Sequence, residues 1–456
     1  MAGPISAHLL PDTADVADDG RLSIGGCDLV DLADQFGTPL FVYDEDHLRA
    51  RCREAVVAFG DGVAYASKAF LCGAMARLAY EEGMHLDVAT GGELFVARHA
   101  GVPGERLVMH GNNKSDRELA MAVEEGVGRI VVDSFDELDR LDALAVATGA
   151  RPRVLLRITP GVEAHTHEFV TTGQDDSKFG FTVSSGLALA AVERAVRTES
   201  VELVGLHAHI GSQVFEVGAF ARAVEVLADF AAPFGLPELS VGGGLGVPYV
   251  EGESAPTLTE WAAGIRAVCD AAGVTAHVSA EPGRAIVAAA AVTLYRVGTV
   301  KDLPGIRTYV AVDGGMSDNP RPVLYGSGYE TMLPRAAAAE RREVDAAQET
   351  LAARVVHEHE PRVPTHWYPH QLPRDLTPEL EVRHVRRGLR VPALRARAPG
   401  TAGSQRRIGR YFYTRAEPVA KGDALHRAAV LVVGHVQCHR RGVDVVEVVE
   451  AVAGVA

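Results

Sequence analysis

The chain has 456 residues, 47% of them hydrophobic and 6% aromatic, and a formal net charge of −15. That length predicts one large domain with a smaller companion, while the acidic balance argues against nucleic acid or an anionic membrane as a partner. Five scattered cysteines without a CxxC pair speak against a disulfide framework or zinc site. The lack of a long apolar run, or of a basic start before one in Met1 to Gly20, predicts a cytoplasmic protein without a membrane span.

In chain order, Thr38 to Asp44 (TPLFVYD) reads as a strand leading into a helix from Glu45. From about residue 60 to 285, short β-branched runs alternate with amphipathic stretches, the rhythm of a parallel sheet. The predicted strands are 63–68, 85–89, 106–110, 129–133, 153–158, 202–209, 238–242 and 276–280. Helical patterns lie between most of them, among them Ser115 to Glu125 and Thr257 to Ala272. Eight such units predict a closed (β/α)8 barrel of the TIM type rather than an open doubly wound sheet. Beyond it, Ala291–Val300 and Thr308–Val312 alternate like antiparallel strands. The organisation expected is therefore an N-terminal segment 1–44, a barrel over 45–290 and a C-terminal part 291–456, with both chain ends building one β-rich domain.

In such barrels the active site forms at the C-terminal ends of the strands. Polar residues collect there: Lys68, Asp87, His110 with Asn112, Arg157, His207 and His209, the glycines 242–246, and Glu281 with Arg284. The long segment Gly161 to Gly180, with His165, His167 and Lys178, reads as an active-site loop. Its histidines lack a convincing third ligand, so a solvated loop is preferred to a metal site.

Gly242-Gly243-Gly244-Leu245-Gly246 follows a strand directly, so its backbone N–H groups can close around an anion. A tight turn is the alternative, but barrels commonly hold phosphate after strands seven and eight. Glu281-Pro282-Gly283-Arg284 places a carboxylate at the same mouth, where it can pair with a protonated pyridine nitrogen or with a nearby arginine. Only five of the 45 basic residues are lysines: Lys68, Lys114, Lys178, Lys301 and Lys421. Of these, Lys68 alone is expected at a strand end beside the other groups, where desolvation makes an amine nucleophilic toward an aldehyde; Lys114 is expected to open a helix. His207 and His209 alternate on the sixth strand. Zinc ligation lacks a partner pattern there; a ring lying flat on a planar cofactor is preferred for the pair, with a satisfied core histidine the alternative for His207.

Together these residues resemble the alanine-racemase-like barrel decarboxylases, most closely the diaminopimelate decarboxylases. The resemblance runs from about Thr38 to Pro334. It is carried by YASKA at 65–69, HLDVATGGEL at 85–94, HGNNK at 110–114, GVEAHTHEF and KFGF in the loop, HAHIGS at 207–212, GGGLG at 242–246, EPGR at 281–284 and DGGMSDNPRPVLYG at 313–326. It implies pyridoxal 5'-phosphate as cofactor and no metal. Lys68 would form the Schiff base, His209 would stack on the ring, and Ser212, Gly244, Pro282, Gly283 and Arg284 would hold the phosphate, with Glu281 on the ring nitrogen. Arg284, Arg321 and Tyr325 would bind a small amino-acid substrate, and Arg321 suits the distal carboxylate of meso-2,6-diaminopimelate. The implied reaction gives L-lysine and CO2, and the family's shared active site implies a homodimer.

Beyond about Ala336 the resemblance stops. The family's Cys-Glu-Ser-Gly-Asp motif, whose Cys and Glu complete the partner's site, is missing, as is its late Tyr-Gly. Cys438 has different neighbours, and none of Tyr368, Tyr411 or Tyr413 replaces the tyrosine. Residues 337–456 hold 19 Lys+Arg against 14 Asp+Glu and eight of the 18 His. A shifted reading frame or a degenerate gene copy is the leading reading of this tail, and a divergent C-terminal domain the other. The alternatives to an active enzyme are thus a cofactor-binding pseudoenzyme with a damaged half-site, or a related decarboxylase of another basic amino acid.

Overall fold

The computed structural model describes residues 5–162, 175–304 and 307–337, with three short strands at 430–432, 436–440 and 443–447. The expectation of an altered tail, and most of the predicted loop 161–180, fall largely outside the described residues.

The chain opens with a small antiparallel meander, β1 (Asp15–Val16), β2 (Leu22–Ile24) and β3 (Cys27–Asp28). Asp28 then caps α1 (Leu29–Phe36) by accepting from the N–H groups of Val30 and Asp31, and the Arg21 fork holds the same carboxylate at 2.6 Å. β4 (Leu40–Asp44) leads into α2 (Glu45–Phe59), which Asp44 caps through the His47 N–H.

The barrel strands follow in sequence: β5 (Ala64–Ala66), β6 (His85–Val88), β7 (Leu107–Met109), β8 (Arg129–Val132) and β9 (Arg153–Thr159). A short β10 (Phe181–Thr182) pairs with β9 from outside the main path; the sequence reading did not foresee it. β11 (Glu202–His207), β12 (Glu238–Ser240) and β13 (His277–Ser279) complete the set. Each strand is parallel to the next. The ends close because Ala64 N–H donates to the Ala280 carbonyl at 2.9 Å and Ala66 N–H to that of Pro282 at 3.1 Å.

The outer helices are α3 (Gly73–Glu81), α4 (Gly91–His99), α5 (Asp116–Glu124), α6 (Phe135–Thr148), α7 (Leu187–Arg197), α8 (Val217–Ala231), α9 (Leu258–Ala271) and the short α10 (Arg284–Val287). Reciprocal capping boxes start three of them, Thr90 with Glu93, Ser115 with Glu118 and Thr257 with Glu260. Ala64, Val108, Val131, Leu155 and Val204 fill the barrel's interior as a separate buried cluster, the side-chain packing that makes such a barrel solid rather than a pore.

After the barrel, β14 (Ala291–Leu294) returns antiparallel to β4, Leu294 opposite Leu40, and β17 (Val430–Val432) pairs with the other edge of β4. β15 (Val297–Leu303) and β16 (Arg307–Val312) form a hairpin, so the single predicted run 291–300 is two strands. α11 (Arg321–Tyr325) follows, and β18 (Val436–Arg440) pairs with β19 (Val443–Glu447). The architecture is the expected (β/α)8 barrel with an additional β-structured part to which both chain ends contribute strands. None of the described helices is long and apolar enough to cross a membrane.

Candidate active site

A cavity of about 1250 Å³ opens at the C-terminal mouth of the barrel and continues along β14. Lys68, His209, Ser212, Gly244, Glu281, Gly283, Arg284, Arg321 and Tyr325 all line it; the Pro282 carbonyl closes the barrel just beneath.

Two of these side chains sit differently from expectation. β5 stops at Ala66, and Lys68 lies in a single 3-10 turn, Ser67–Ala69, closed by Phe70 N–H on the Ser67 carbonyl. β11 likewise ends at His207, so His209 follows the strand instead of alternating along it. Past both strand ends the chain runs into segments that line the cavity, with Lys68, His209 and Ser212 on its wall.

Lys68 has no hydrogen bond or ion pair among the described residues. Lys114 is the opposite case. It precedes the Ser115 cap of α5, and its side chain is buried, with Nζ 2.6 Å from Glu137 Oε1, 2.6 Å from the Val131 carbonyl and 2.8 Å from that of Gly111. Every donor of that ammonium is spoken for, so of these two amines Lys68 is the available one.

Glu281 is the best-supported group in the site. Its Oε2 lies 2.9 Å from His207 Nε2, and its Oε1 accepts from Ser240 Oγ at 3.1 Å and lies 3.2 Å from His110 Nε2. His110 in turn lies 3.7 Å from Asp87. Burial alone would push the Glu281 carboxyl up, but the two imidazoles hold it well below the usual carboxylate range. Asp87, buried without comparable support, is pushed up despite His110. The ligating atoms of His110, His207 and Glu281 fall within 4.8 Å of one another. That spacing would suit a metal, yet the His207 contact is already a direct hydrogen bond, so the trio reads as the carboxylate's support. His207 is thus a buried core histidine held to Glu281 through Nε2, while its Nδ1 has no hydrogen-bond partner among the described residues.

Burial, with the Lys68 and Arg157 cations nearby, holds His209 well below its ordinary value. Its Nδ1 accepts from the Gly243 N–H at 3.2 Å, which fixes that nitrogen as unprotonated. Arg157 is buried against the Phe179 ring, 4.3 Å from its centroid, and lies 3.7 Å from Asp133, whose other oxygen accepts from Gly180 N–H at 2.7 Å.

The glycine run has two uses. A side chain at Gly243 would collide with the Glu281 carbonyl, and one at Gly244, at φ +114°, with that of Gly211. The close packing that requires glycine also leaves the N–H groups of Gly244 and Gly283 without a partner among the described residues, at the cavity wall. Arg284 Nε is buried without a hydrogen bond there too, while Nη1 donates to Tyr249 Oη at 2.9 Å and Nη2 to Ser212 Oγ at 3.2 Å. Arg321 donates to the same Tyr249 oxygen at 3.2 Å and to Ser327 Oγ at 3.3 Å. Tyr249, Ser240 and the Lys114–Glu137 pair were not singled out in the sequence. The signal for Tyr249 was its place three residues beyond GGGLG, in a loop on the functional face.

This donor set suits pyridoxal phosphate. It offers an available amine, an ionised buried carboxylate, a neutral imidazole at the wall, and unpaired N–H and guanidinium donors where a phosphate would need them. Fold and site thus define a pyridoxal-dependent barrel enzyme. The family model described as pyridoxal-dependent decarboxylase, pyridoxal binding domain, matches residues 45–288. Diaminopimelate decarboxylase of Mycobacterium tuberculosis (strain H37Rv) is 50% identical over 335 residues, covering 69% of this chain and 75% of that protein. That of Bacillus subtilis (strain 168) is 47% identical over 341 residues, covering 71% and 76%. Among solved structures, the diaminopimelate decarboxylase of M. jannaschii in complex with L-lysine matches with a TM-score of 0.66 at 33% identity, over 70% of this chain and 77% of that one. The chain belongs to the diaminopimelate decarboxylase family of pyridoxal-dependent decarboxylases.

Proposed function

We propose that this chain decarboxylates meso-2,6-diaminopimelate to L-lysine and CO2 with pyridoxal phosphate. One observation carries the reading: an available amine (Lys68), an ionised carboxylate (Glu281) and two guanidiniums (Arg284 and Arg321) line the same cavity.

Lys68 would hold the cofactor through its Nζ. Ser212, the Gly244 N–H and the turn Pro282–Gly283–Arg284 would hold its phosphate, and the neutral His209 ring would lie against its face without charge repulsion. When bound, pyridoxal phosphate supplies an electron-withdrawing ring that takes up the pair left by departing CO2. Glu281, kept ionised by His207 and His110, would keep a proton at the ring nitrogen and so preserve that withdrawal. Arg284, Arg321 and Tyr325 would bind the substrate carboxylate that is retained. A substrate ending in an ammonium alone would face those cations unpaired, which disfavours ornithine. A homodimer sharing its active sites is inferred from the family resemblance.

The test is the purified chain with cofactor and meso-diaminopimelate, followed by visible absorbance and CO2 release. The expected result is both signals, with Lys68→Ala losing the absorbance of the protein–cofactor adduct; a Lys68→Ala protein that keeps it would refute the assignment. Absorbance without CO2 release would instead select a cofactor-binding pseudoenzyme, and turnover of ornithine or arginine alone a different substrate.

A further inference from the structure

Arg284 and Arg321 stand close together with hydroxyl oxygens as their hydrogen-bond partners. Arg284 donates to Tyr249 Oη and Ser212 Oγ, and Arg321 to Tyr249 Oη and Ser327 Oγ. Neither has an acidic partner among the described residues. A single phenol oxygen therefore accepts from two cations at 2.9 and 3.2 Å, and its ring also lies beneath the Arg321 guanidinium, 4.8 Å from centroid to carbon. Like charges brought this near repel, and an acceptor oxygen shared between them offsets part of that cost while fixing their spacing.

Tyr249 is held firmly enough to do so. Its backbone N–H donates to Glu253 Oε2 at 2.7 Å, and its ring meets that of Tyr329 edge-on at 5.3 Å. With both lone pairs accepting, the phenol has one capacity left, its own O–H proton. That proton is free to donate to an anion drawn in by the two guanidiniums.

We propose that Tyr249 is a specificity-determining residue: it sets the spacing of Arg284 and Arg321 and adds its hydroxyl as a third donor, building a seat for the carboxylate that the substrate keeps. The inference rests on the assignment of those two arginines to substrate made above.

The test uses the full-length, cofactor-loaded chain and measures affinity for L-lysine, which carries that carboxylate, and for L-lysinamide, in which it is neutral. Tyr249→Phe keeps the ring under Arg321 and removes only the oxygen. It is expected to lower L-lysine affinity about tenfold, the scale of a hydrogen bond to a charged group, with L-lysinamide affinity, cofactor absorbance and urea midpoint unchanged. In an Arg321→Met background the same change should still weaken L-lysine binding but by less than tenfold, since the hydroxyl keeps its direct hydrogen bond to the carboxylate while there are no longer two cations to space. If Tyr249→Phe leaves L-lysine affinity intact while Arg321→Met weakens it, or weakens both ligands equally, the role given to Tyr249 is wrong and the function stands. If Arg284→Met and Arg321→Met both leave L-lysine binding unchanged, the substrate assignment itself fails.

Discussion

Removing either half of the buried Lys114–Glu137 pair separates a structural lysine from Lys68, the one proposed to hold the cofactor. Both side chains are buried, and burial moves both toward neutrality: Lys114 is lowered and Glu137 raised, each partly restrained by the other. In Glu137→Leu the ammonium keeps only two carbonyls and can at worst lose its proton. From an ordinary value near 10.4, deprotonation at pH 7 costs about 4.5 kcal/mol, which bounds the ionisation penalty. In Lys114→Met the carboxyl must take up a proton instead, and from near 4.3 that bound is about 3.7 kcal/mol. Both fit the range of about 3–5 kcal/mol for breaking a buried pair. The pH trends oppose each other. Lys114 alone has a depressed folded value, so the unfolded chain binds more protons and stability recovers as pH rises. Glu137 alone has a raised folded value, so stability recovers as pH falls. Urea midpoints of both variants between pH 6 and 9 read this directly, and the double substitution should cost less than the two single ones together. Losses under about 1 kcal/mol, or trends of the same sign, would show that the pair does not carry the charge proposed. Lys114→Met should keep the cofactor absorbance that Lys68→Ala loses.

Two further outcomes follow from the site. Glu281→Gln retains an acceptor for Ser240 but removes the charge, so CO2 release should fall by on the order of 100-fold while cofactor absorbance persists; unchanged turnover would mean that the ring nitrogen is held elsewhere. Gly243→Ala places a methyl group against the Glu281 carbonyl, a backbone atom that cannot step aside. It should cost roughly 1–3 kcal/mol in urea unfolding and weaken cofactor retention, and a wild-type midpoint would show that this approach is looser than the packing implies.

The barrel was legible because its signals are local. Seven of the eight barrel strands contain a β-branched residue or a leucine, β5 (Ala64–Ala66) being the exception, and several intervening helices announce themselves by caps such as Ser115 and Thr257. Strand ends were less legible. The predicted 63–68 and 202–209 stop at Ala66 and His207, since the ladder ends where the chain bends around the cavity, a decision made by neighbouring strands. The candidate site divides along the same line. Lys68, His209 and Glu281 could be gathered by asking which polar residues end strands. What those residues are to one another could not be gathered so. That His110 reaches Glu281 joins the third unit to the eighth, and that Lys114 turns inward to Glu137 joins the third to the fourth.

The distinction matters for chemistry, because the state of each group is set by these cross-barrel contacts and not by its own neighbours in sequence. Asp87 and Glu281 are both buried acids near His110, yet one is pushed up and the other held down. Two contacts make the difference: His207 turns its Nε2 to Glu281 at 2.9 Å, and the Glu281 charge in turn pushes its buried neighbour Asp87 up. A barrel suits this arrangement: its rigid ring of strands brings an imidazole from the sixth unit and a carboxylate from the eighth together around Ser240 of the seventh. Under the proposed function, a cofactor ring would then meet an anion whose charge these contacts already favour, which lessens the reorganisation needed during reaction.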